Sequence, residues 1–261
     1  VRVEFNGGEV VGLTADNPGP LTLAGTNSWI VGRQGAWVID PGPDQSLHIE
    51  QIAAEVAGRG GLAGIALTHG HGDHSDGVER LLASSGRTVT VVGPVPHGEG
   101  SPSHGSQHGP LEVHRLPGHT ADHVAYIYGG IAFTGDAIFA ESSVFVSPGS
   151  GSLAGYLQAL EQLASRQPIV LAPGHGPVIN DPETRINQQI AHRLDRERRL
   201  LEALASGSRT VDQLLAEVWD DVPEALLPAA AVTLAAHLDK LDDEASLPEG
   251  VERPVVPDWI I

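Results

Sequence analysis

The segment Thr68-His69-Gly70-His71-Gly72-Asp73-His74 places three imidazoles and a carboxylate within six residues, directly after the apolar run Gly64-Ile65-Ala66-Leu67. Imidazole nitrogen and carboxylate oxygen are the donors that Zn(II), Mn(II) and Fe(II) accept, and two glycines let several of them converge without steric conflict. The chain carries 13 His in 261 residues, so a chance cluster is the alternative. The acid and the flanking strand fall where a metal loop needs them, which favours a metal site, with two ions the expected number.

Composition narrows the donors. There is no Cys, so disulfides, thiolate zinc sites and cysteine nucleophiles are excluded and any metal must be held by His and carboxylates. Hydrophobic residues are 41% of the chain, and no apolar stretch approaches the roughly 20 residues of a membrane span. No charged-then-apolar leader opens the chain at Val1-Arg2-Val3, so the expected location is the cytoplasm. With 15 basic against 33 acidic residues the net charge is -18, which repels polyanions on average, although a dinuclear centre would attract a phosphate locally.

Residues 26–31 and 36–40 read as strands joined by the turn Gly32-Arg33-Gln34-Gly35, and Asp40-Pro41-Gly42-Pro43 breaks the second. Asp44 or Ser46 is the expected cap of a helix carrying Leu47, Ile52, Ala53 and Val56, ending near Gly58 to Gly61. A strand at 64–68 delivers the His cluster. Ser75 is expected to cap a helix that Gly86 stops, before a strand at 88–92. Residues 93–110, with His97, His104 and His108, read as a long solvated loop. Strands are expected at 111–115, 123–128, 131–134 and 169–172, with Gly129-Gly130 as a hairpin turn and a helix at 152–165.

After about residue 180 strand signals vanish and helices follow at about 182–206, 211–219 and 224–243, giving a helical module of the winged-helix or helix-turn-helix kind. Arg193, Arg196, Arg198 and Arg199 raise a DNA-binding reading. Asp195, Glu197 and Glu202 interleave with them at intrahelical pairing distances, so a solvated, salt-bridged face is expected instead. The expected division is a catalytic domain over 1–180 and a helical domain over 181–261.

Three later turns repeat the opening theme: Pro117-Gly118-His119-Thr120, Thr134-Gly135-Asp136 and Pro173-Gly174-His175-Gly176-Pro177 each place one ligand-type side chain just beyond a strand. Singly each is an ordinary turn; together with 69–74 they supply enough donors for two ions. In this order these motifs resemble those of the metallo-β-lactamase-fold hydrolase superfamily, from about residue 20 to 180. The resemblance implies an α/β (α+β) fold, a four-layer αββα sandwich with a dinuclear site at one edge. By the family pattern His69, His71 and His119 would hold one metal, Asp73, His74 and His175 the second, and Asp136 would bridge them. Zinc β-lactamases use a Cys at the second metal, which this chain lacks, so antibiotic hydrolysis is not expected.

A closer similarity, on Gly25-Thr26-Asn27-Ser28-Trp29, His119-Thr120-Ala121-Asp122-His123 and Ile190-Ala191-His192-Arg193 with Arg196-Glu197, is to the β-lactamase-like protein 2 group, which adds a winged-helix-like C-terminal domain. That group includes a single-strand-preferring endoribonuclease and fungal polyketide thioesterases. The expected cofactors are two divalent ions, Zn(II) foremost, with Mn or Fe as alternatives. Two such ions about 3.5–4 Å apart share a water whose pKa falls towards neutrality, giving a bridging hydroxide nucleophile. Asp73 is the expected catalytic residue, orienting that nucleophile and accepting its proton. Asp40, Thr68, Thr120 and His123 are candidates for ligand support or substrate contact, and His192 for the junction with the helical module. The expected substrate is an acyl thioester or related small ester. Single-stranded RNA is the second candidate, disfavoured by 4% aromatic content. A membrane partner is not expected, and a homodimer is compatible with the sequence.

Overall fold

Alternation of apolar side chains along the strands decides the layering, because each strand must bury both faces. The computed structural model describes residues 2–94, 102–146 and 148–256. In β3 (Asn27–Val31) and β4 (Ala36–Ile39), Trp29, Val31, Trp37 and Ile39 turn to one side while Ile30, Ala36 and Val38 turn to the other. With β1 (Arg2–Phe5), β2 (Val10–Thr14), β5 (Leu62–Ala66) and β6 (Thr90–Val92) they form a six-stranded sheet in sequential order. The second sheet has five strands in the order β11 (Val170–Pro173), β10 (Ile131–Gly135), β9 (Val124–Tyr128), β8 (Leu111–Arg115), β7 (Gln107–His108).

Tyr126, Phe133, Val113 and Ala172 of the second sheet meet Trp29, Trp37 and Ile39 of the first in a shared inner core. The outer face of the first sheet is covered by α1 (Ser46–Ala57) and α3 (Val78–Ser85) through Ile49, Ile52, Val56 and Leu81. Such side chains stabilise by about 1.5–3 kcal/mol each when fully buried. The outer face of the second is covered by α4 (Leu153–Ser165) through Tyr156, Leu160 and Leu163, and by Ile186 of α5 (Pro182–Ser206). This is the four-layer αββα sandwich. Beyond it α5, α6 (Val211–Val218) and α7 (Leu227–Asp243) enclose a core of their own around Leu200, Leu214, Trp219 and Leu234. No strand follows α7 among the described residues. None of the described helices is long and apolar enough to cross a membrane.

Several local expectations are corrected. Neither Asp44 nor Ser46 caps α1: Gln45 stands at the N-cap without a side-chain bond, and Asp44 pairs with Arg80 of α3 instead. Ser75 ends the single turn α2 (Gly72–Ser75), where its hydroxyl donates back to His71 O at 3.0 Å, so α3 starts at Val78 behind Gly77. The stretch read as a continuous loop contains β7, in which His108 pairs with Leu111, while His104 packs edge-on against His114 at 5.0 Å. His97 lies outside the described residues. The Gly129-Gly130 hairpin is present, with φ of 57° and 81°, values that favour glycine.

The α5 arginines divide into two sets. Arg198 binds Asp195 and Glu202, and Arg199 binds Asp220, all near the surface. Arg193 and Arg196 are buried, in a stripe with Ile186, Gln189, Leu200 and Ala203 that faces inward at helical spacing. The salt-bridged face is therefore only half of this helix.

α1 is tied to the first sheet by His48, whose Nε2 lies 2.8 Å from Ser28 Oγ. Burial lowers its pKa from the ordinary value of 6.5 to about 4. The depressed folded value means that the neutral ring stabilises the fold above pH 6.5 and that stability is lost as pH falls towards 4. We expect wild-type protein to lose about 2 kcal/mol more than His48→Gln between pH 7 and pH 5. Urea denaturation at the two pH values measures this, and parallel loss in both proteins would contradict it.

Candidate metal centre

The ends of both sheets meet at one rim. Asp40 follows β4, the segment from His69 to His74 follows β5, His119 lies between β8 and β9, Asp136 follows β10 and His175 follows β11. Backbone bonds lock these turns together: Val124 N–H donates to Thr68 O at 2.8 Å, Gly174 N–H to Gly135 O at 2.8 Å, and Asn27 N–H to Gly174 O at 2.7 Å. Glycine is required where they touch. Gly135 has φ 46°, and a Cβ there would lie 2.4 Å from Thr68 Oγ1; one on Gly174 would lie 2.5 Å from Asp136 Oδ1.

Two donor groups result. His69, His71, His119 and Asp136 form one, and Asp73, His74 and His175 the other, the donor atoms of each lying within 4.8 Å of one another. In the first, His71 Nδ1 is 3.0 Å from His69 Nε2 and 3.2 Å from His119 Nε2. In the second, His175 Nε2 is 3.3 Å from His74 Nε2 and 3.2 Å from Asp73 Oδ2. Asp136 stands between them: its Oδ2 is 3.7 Å from His119 Nε2 and 3.4 Å from His175 Nε2, and its Oδ1 is 3.4 Å from His74 Nε2.

The outward nitrogens show which atoms are free. His119 Nδ1 reaches Phe145 O at 2.6 Å, His175 Nδ1 reaches Gly25 O at 3.3 Å, and His74 Nδ1 reaches Asp40 Oδ2 at 3.0 Å. These partners can only accept, so each outward nitrogen carries a proton and it is Nε2 that can present a lone pair inward once its own proton is displaced. His69 Nδ1 likewise faces Thr68 Oγ1 at 3.0 Å, and that hydroxyl donates to Asp40 Oδ2 at 2.7 Å. Converging lone pairs repel unless a cation lies among them. Nitrogens about 3.3 Å apart are what a tetrahedral ion with bonds of about 2.0–2.1 Å holds. Asp136 Oδ1, buried and without a hydrogen bond of good geometry, adds an acceptor that a cation would satisfy. The donor set therefore fits divalent metal.

Electrostatics separates the groups. Burial, then the neighbouring imidazoles, holds His69 well below its ordinary pKa, and burial with His119 lowers His71. In the second group burial also opposes charge, yet Asp136 and Asp40 raise His74 well above the ordinary value, and Asp136 and Asp73 push His175 up to about 9. Burial would raise Asp136, but His175 and His74 hold it well below the carboxylate range. The carboxylate-rich group thus attracts positive charge, from protons or from metal.

The remaining candidates fall in different places. Asp40 is buried and also accepts the Thr68 N–H at 2.8 Å, so one carboxylate touches His74 directly and His69 through Thr68. His123 is wholly buried behind the rings of His69 and His119 and is not part of the cleft lining, its Nε2 accepting the Asp136 N–H at 3.2 Å; burial lowers its pKa to about 3. Thr120 acts through its backbone, its carbonyl accepting the Gly118 N–H at 2.9 Å, while its hydroxyl has no hydrogen-bond partner. His192 is exposed on α5 and lines the cleft described below.

Sequence reasoning assigned no role to Thr26, whose Oγ1 donates to Asp73 Oδ2 at 3.2 Å, or to the carbonyls of Phe145 and Gly25. The Gly25-Thr26-Asn27 motif was the available signal, since Asn27 also donates to Pro173 O and Gly176 O beside His175.

The site opens into a cleft of about 560 Å³ between the sandwich and the helical module. His71, Asp73, His119, Asp136 and His175 line one end. Leu21, Phe139, Phe145, Trp219, Val222 and Leu226 give much of the remainder an apolar wall. A second cavity of about 550 Å³, around His104, His114 and Arg166, contains none of the donor residues.

Comparison with known proteins agrees with this architecture. The profile of the metallo-beta-lactamase superfamily matches residues 21–86 and 78–175, and that of the beta-lactamase associated winged helix domain matches residues 210–245. A beta-lactamase-like protein 2 homolog of Drosophila melanogaster is 29% identical over 91% of this chain and 89% of its own. An atrochrysone carboxyl ACP thioesterase of Cryptosporiopsis sp. is 31% identical over 81% of this chain and 72% of its own. Among solved structures, a beta-lactamase domain protein from Burkholderia ambifaria superposes with a TM-score of 0.79 at 19% identity, covering 96% of this chain and 91% of that one. The chain belongs to the metallo-beta-lactamase superfamily of metal-dependent hydrolases and carries its associated winged helix domain.

Proposed function

We propose that the chain holds two divalent ions, Zn(II) foremost, and hydrolyses acyl thioesters. The carrying observation is a double set of inward lone pairs at the end of an apolar cleft of about 560 Å³. In this reading His69, His71 and His119 hold one ion, Asp73, His74 and His175 the other, and Asp136 both. Such a pair supplies an activated water and Lewis-acid stabilisation of a developing oxyanion. The domain division at residues 180 and 181 belongs to this reading; it is supported by the start of α5 at Pro182 and by the separate core beyond it.

The protein's own groups do the rest. Thr26 Oγ1 and His175 Nε2 both approach Asp73 Oδ2, which leaves Oδ1 to take up a proton at the cleft. Burial would raise Asp73, but His175 and His74 bring it below the ordinary carboxylate value, so it is ionised and ready to accept. The apolar wall binds the acyl body and excludes water from the reacting carbon. Among the described residues neither Lys nor Tyr lines the cleft to protonate a leaving group. A thiolate, whose conjugate acid has a pKa of about 8.5, departs without one, unlike an amine. The named thioesterase at 31% identity supports the same choice. The RNA alternative has less support, because the exposed Arg198 and the half-buried Arg199 are engaged by acids.

The test measures metal content and assays one preparation on acyl thioesters and on single-stranded RNA. We expect two ions per chain, thioester turnover, and a fall in kcat of about 10²-fold or more in Asp73→Ala. RNA cleavage that the substitution abolishes, without thioester turnover, would reverse the choice of substrate.

A further inference from the structure

The wall of the cleft holds a buried cation that the reaction does not use. Arg193 of α5 is 2% exposed and lines the cleft. Its guanidinium lies over the Tyr156 ring, 5.3 Å from the centroid, and one terminal nitrogen donates to Val144 O. Its Nε has no hydrogen bond of good geometry, nor has Tyr156 Oη, although the guanidinium and that hydroxyl attract one another. Arg185, half-buried, donates to Phe139 O at 2.6 Å and Ser142 O at 2.7 Å in the same loop.

No carboxylate contributes to the electrostatics of Arg185 or Arg193 among the described residues. The neighbouring Arg196 differs, being gripped by both oxygens of Asp221 at 2.6 and 2.7 Å. A buried guanidinium without an acid is costly, because it stays charged at any biological pH and a carbonyl with a neutral phenol compensates it poorly. That a chain of net charge -18 leaves this cation without an acid, at the wall of its cleft, calls for a partner from outside.

We propose that Arg193 anchors an anionic group of the substrate, a carboxylate or a phosphate, with Arg185 adding to the local positive field. The inference rests on the thioester reading above and narrows it to thioesters that carry a negative charge away from the scissile bond. The charge can sit on the acyl chain, as a terminal carboxylate, or on the thiol, as the phosphate of a pantetheine arm. Val144 and Phe145 are consecutive, and their carbonyls hold Arg193 and His119 respectively, so the anchor and the reacting end are fixed by one short loop. The apolar wall between accepts the uncharged middle of such a molecule.

The experiment compares the metal-loaded wild type with Arg193→Met and Arg193→Lys on three thioesters. They are butyryl-N-acetylcysteamine, glutaryl-N-acetylcysteamine and butyryl-4′-phosphopantetheine. For Arg193→Met we expect kcat/KM to fall about 10- to 100-fold, mainly through KM, on one of the two charged substrates. The uncharged one shares any loss that comes from loosening the loop under His119 and should fall clearly less, and the charged substrate that suffers more identifies where the charge sits. A loss of equal size on all three, as expected if Arg193 only braces the loop under His119, overturns the proposal, and so does no loss on either charged substrate. Should Arg193→Met fail to fold, Arg193→Lys carries the same comparison, with a loss of about tenfold because ammonium cannot make the forked contact. If the wild type hydrolyses none of the three, the reaction assignment fails and the anchor is judged separately. Calorimetric titration with glutarate, 4′-phosphopantetheine and uncharged pantetheine then decides. Charge-dependent binding lost in Arg193→Met upholds it, and equal binding by both proteins overturns it.

Discussion

Replacing Asp136 by alanine is expected to lower metal content from two ions per chain to one or none and to reduce kcat/KM by about 10³-fold or more. The Asp136 carboxylate approaches donors of both groups, with contacts of 3.4 to 3.7 Å to His74, His175 and His119. Without it the first group keeps three imidazoles and the second keeps Asp73, His74 and His175, so each site is one ligand poorer and the two are no longer joined. The substituted side chain creates little strain, since it is smaller and points into the donor space. Metal analysis after reconstitution, together with turnover, measures the effect; two tightly held ions in the variant would refute the bridging assignment.

The metal-stripped protein gives an independent reading of the same residue. Asp136 and Asp73 overcome burial to raise His175 to about 9, so the imidazolium stabilises the fold fully below the unfolded value near 6.5. That contribution fades as pH climbs through 9. The urea midpoint of metal-stripped Asp136→Ala should therefore lie below that of metal-stripped wild type near pH 6, with the gap narrowing towards pH 9.

Side chains and spacing made the candidate donors visible in the sequence, whereas two of the groups that orient them are backbone carbonyls. His69, His71, Asp73 and His74 announce themselves because a strand and two glycines force them together. His119, Asp136 and His175 were readable because each follows a strand end at a glycine turn. Nothing in a motif marks the carbonyls of Phe145 and Gly25, since every residue has one and only the folded path chooses which faces an imidazole. Ser75 misled for a related reason: a serine ahead of an apolar periodic run is a cap signal, but its hydroxyl instead returns to the carbonyl of His71.

The helical module shows a second kind of loss. Charge spacing on α5 supports surface pairing, and Arg198 obeys it. Spacing alone does not say which side of a 25-residue helix is buried, and Gln189, Arg193 and Arg196 occupy the inward stripe that apolar residues would ordinarily fill. The available clue was their register with Ile186, Leu200 and Ala203. Gln189 and Arg196 are held there by Ser142 O and by Asp221, whereas Arg193, which lines the cleft, has no acid beside it among the described residues.

Asp40→Asn is expected to weaken binding of the second ion by about 10- to 100-fold while leaving the fold intact. Asp40 has φ 50°, a left-handed conformation that Asp and Asn both tolerate, so the backbone has no reason to move. Its carboxylate accepts three bonds: Thr68 N–H at 2.8 Å on Oδ1, and Thr68 Oγ1 at 2.7 Å and His74 Nδ1 at 3.0 Å on Oδ2. Asparagine retains one oxygen. If that oxygen serves the Thr68 N–H, the amide NH₂ confronts the His74 N–H, and the imidazole relieves the conflict by moving its proton to Nε2, where it occupies the position a metal would take. Asp40→Ala removes all three acceptors in a buried setting and should destabilise the protein by about 3–5 kcal/mol. The two variants therefore separate support of the ligand from support of the fold. Chelator competition should show the Asn protein losing one ion well before the other, with a melting temperature near that of wild type when both sites are filled. Equal affinity for both ions in Asp40→Asn would mean that the His74 tautomer is set by something other than this carboxylate.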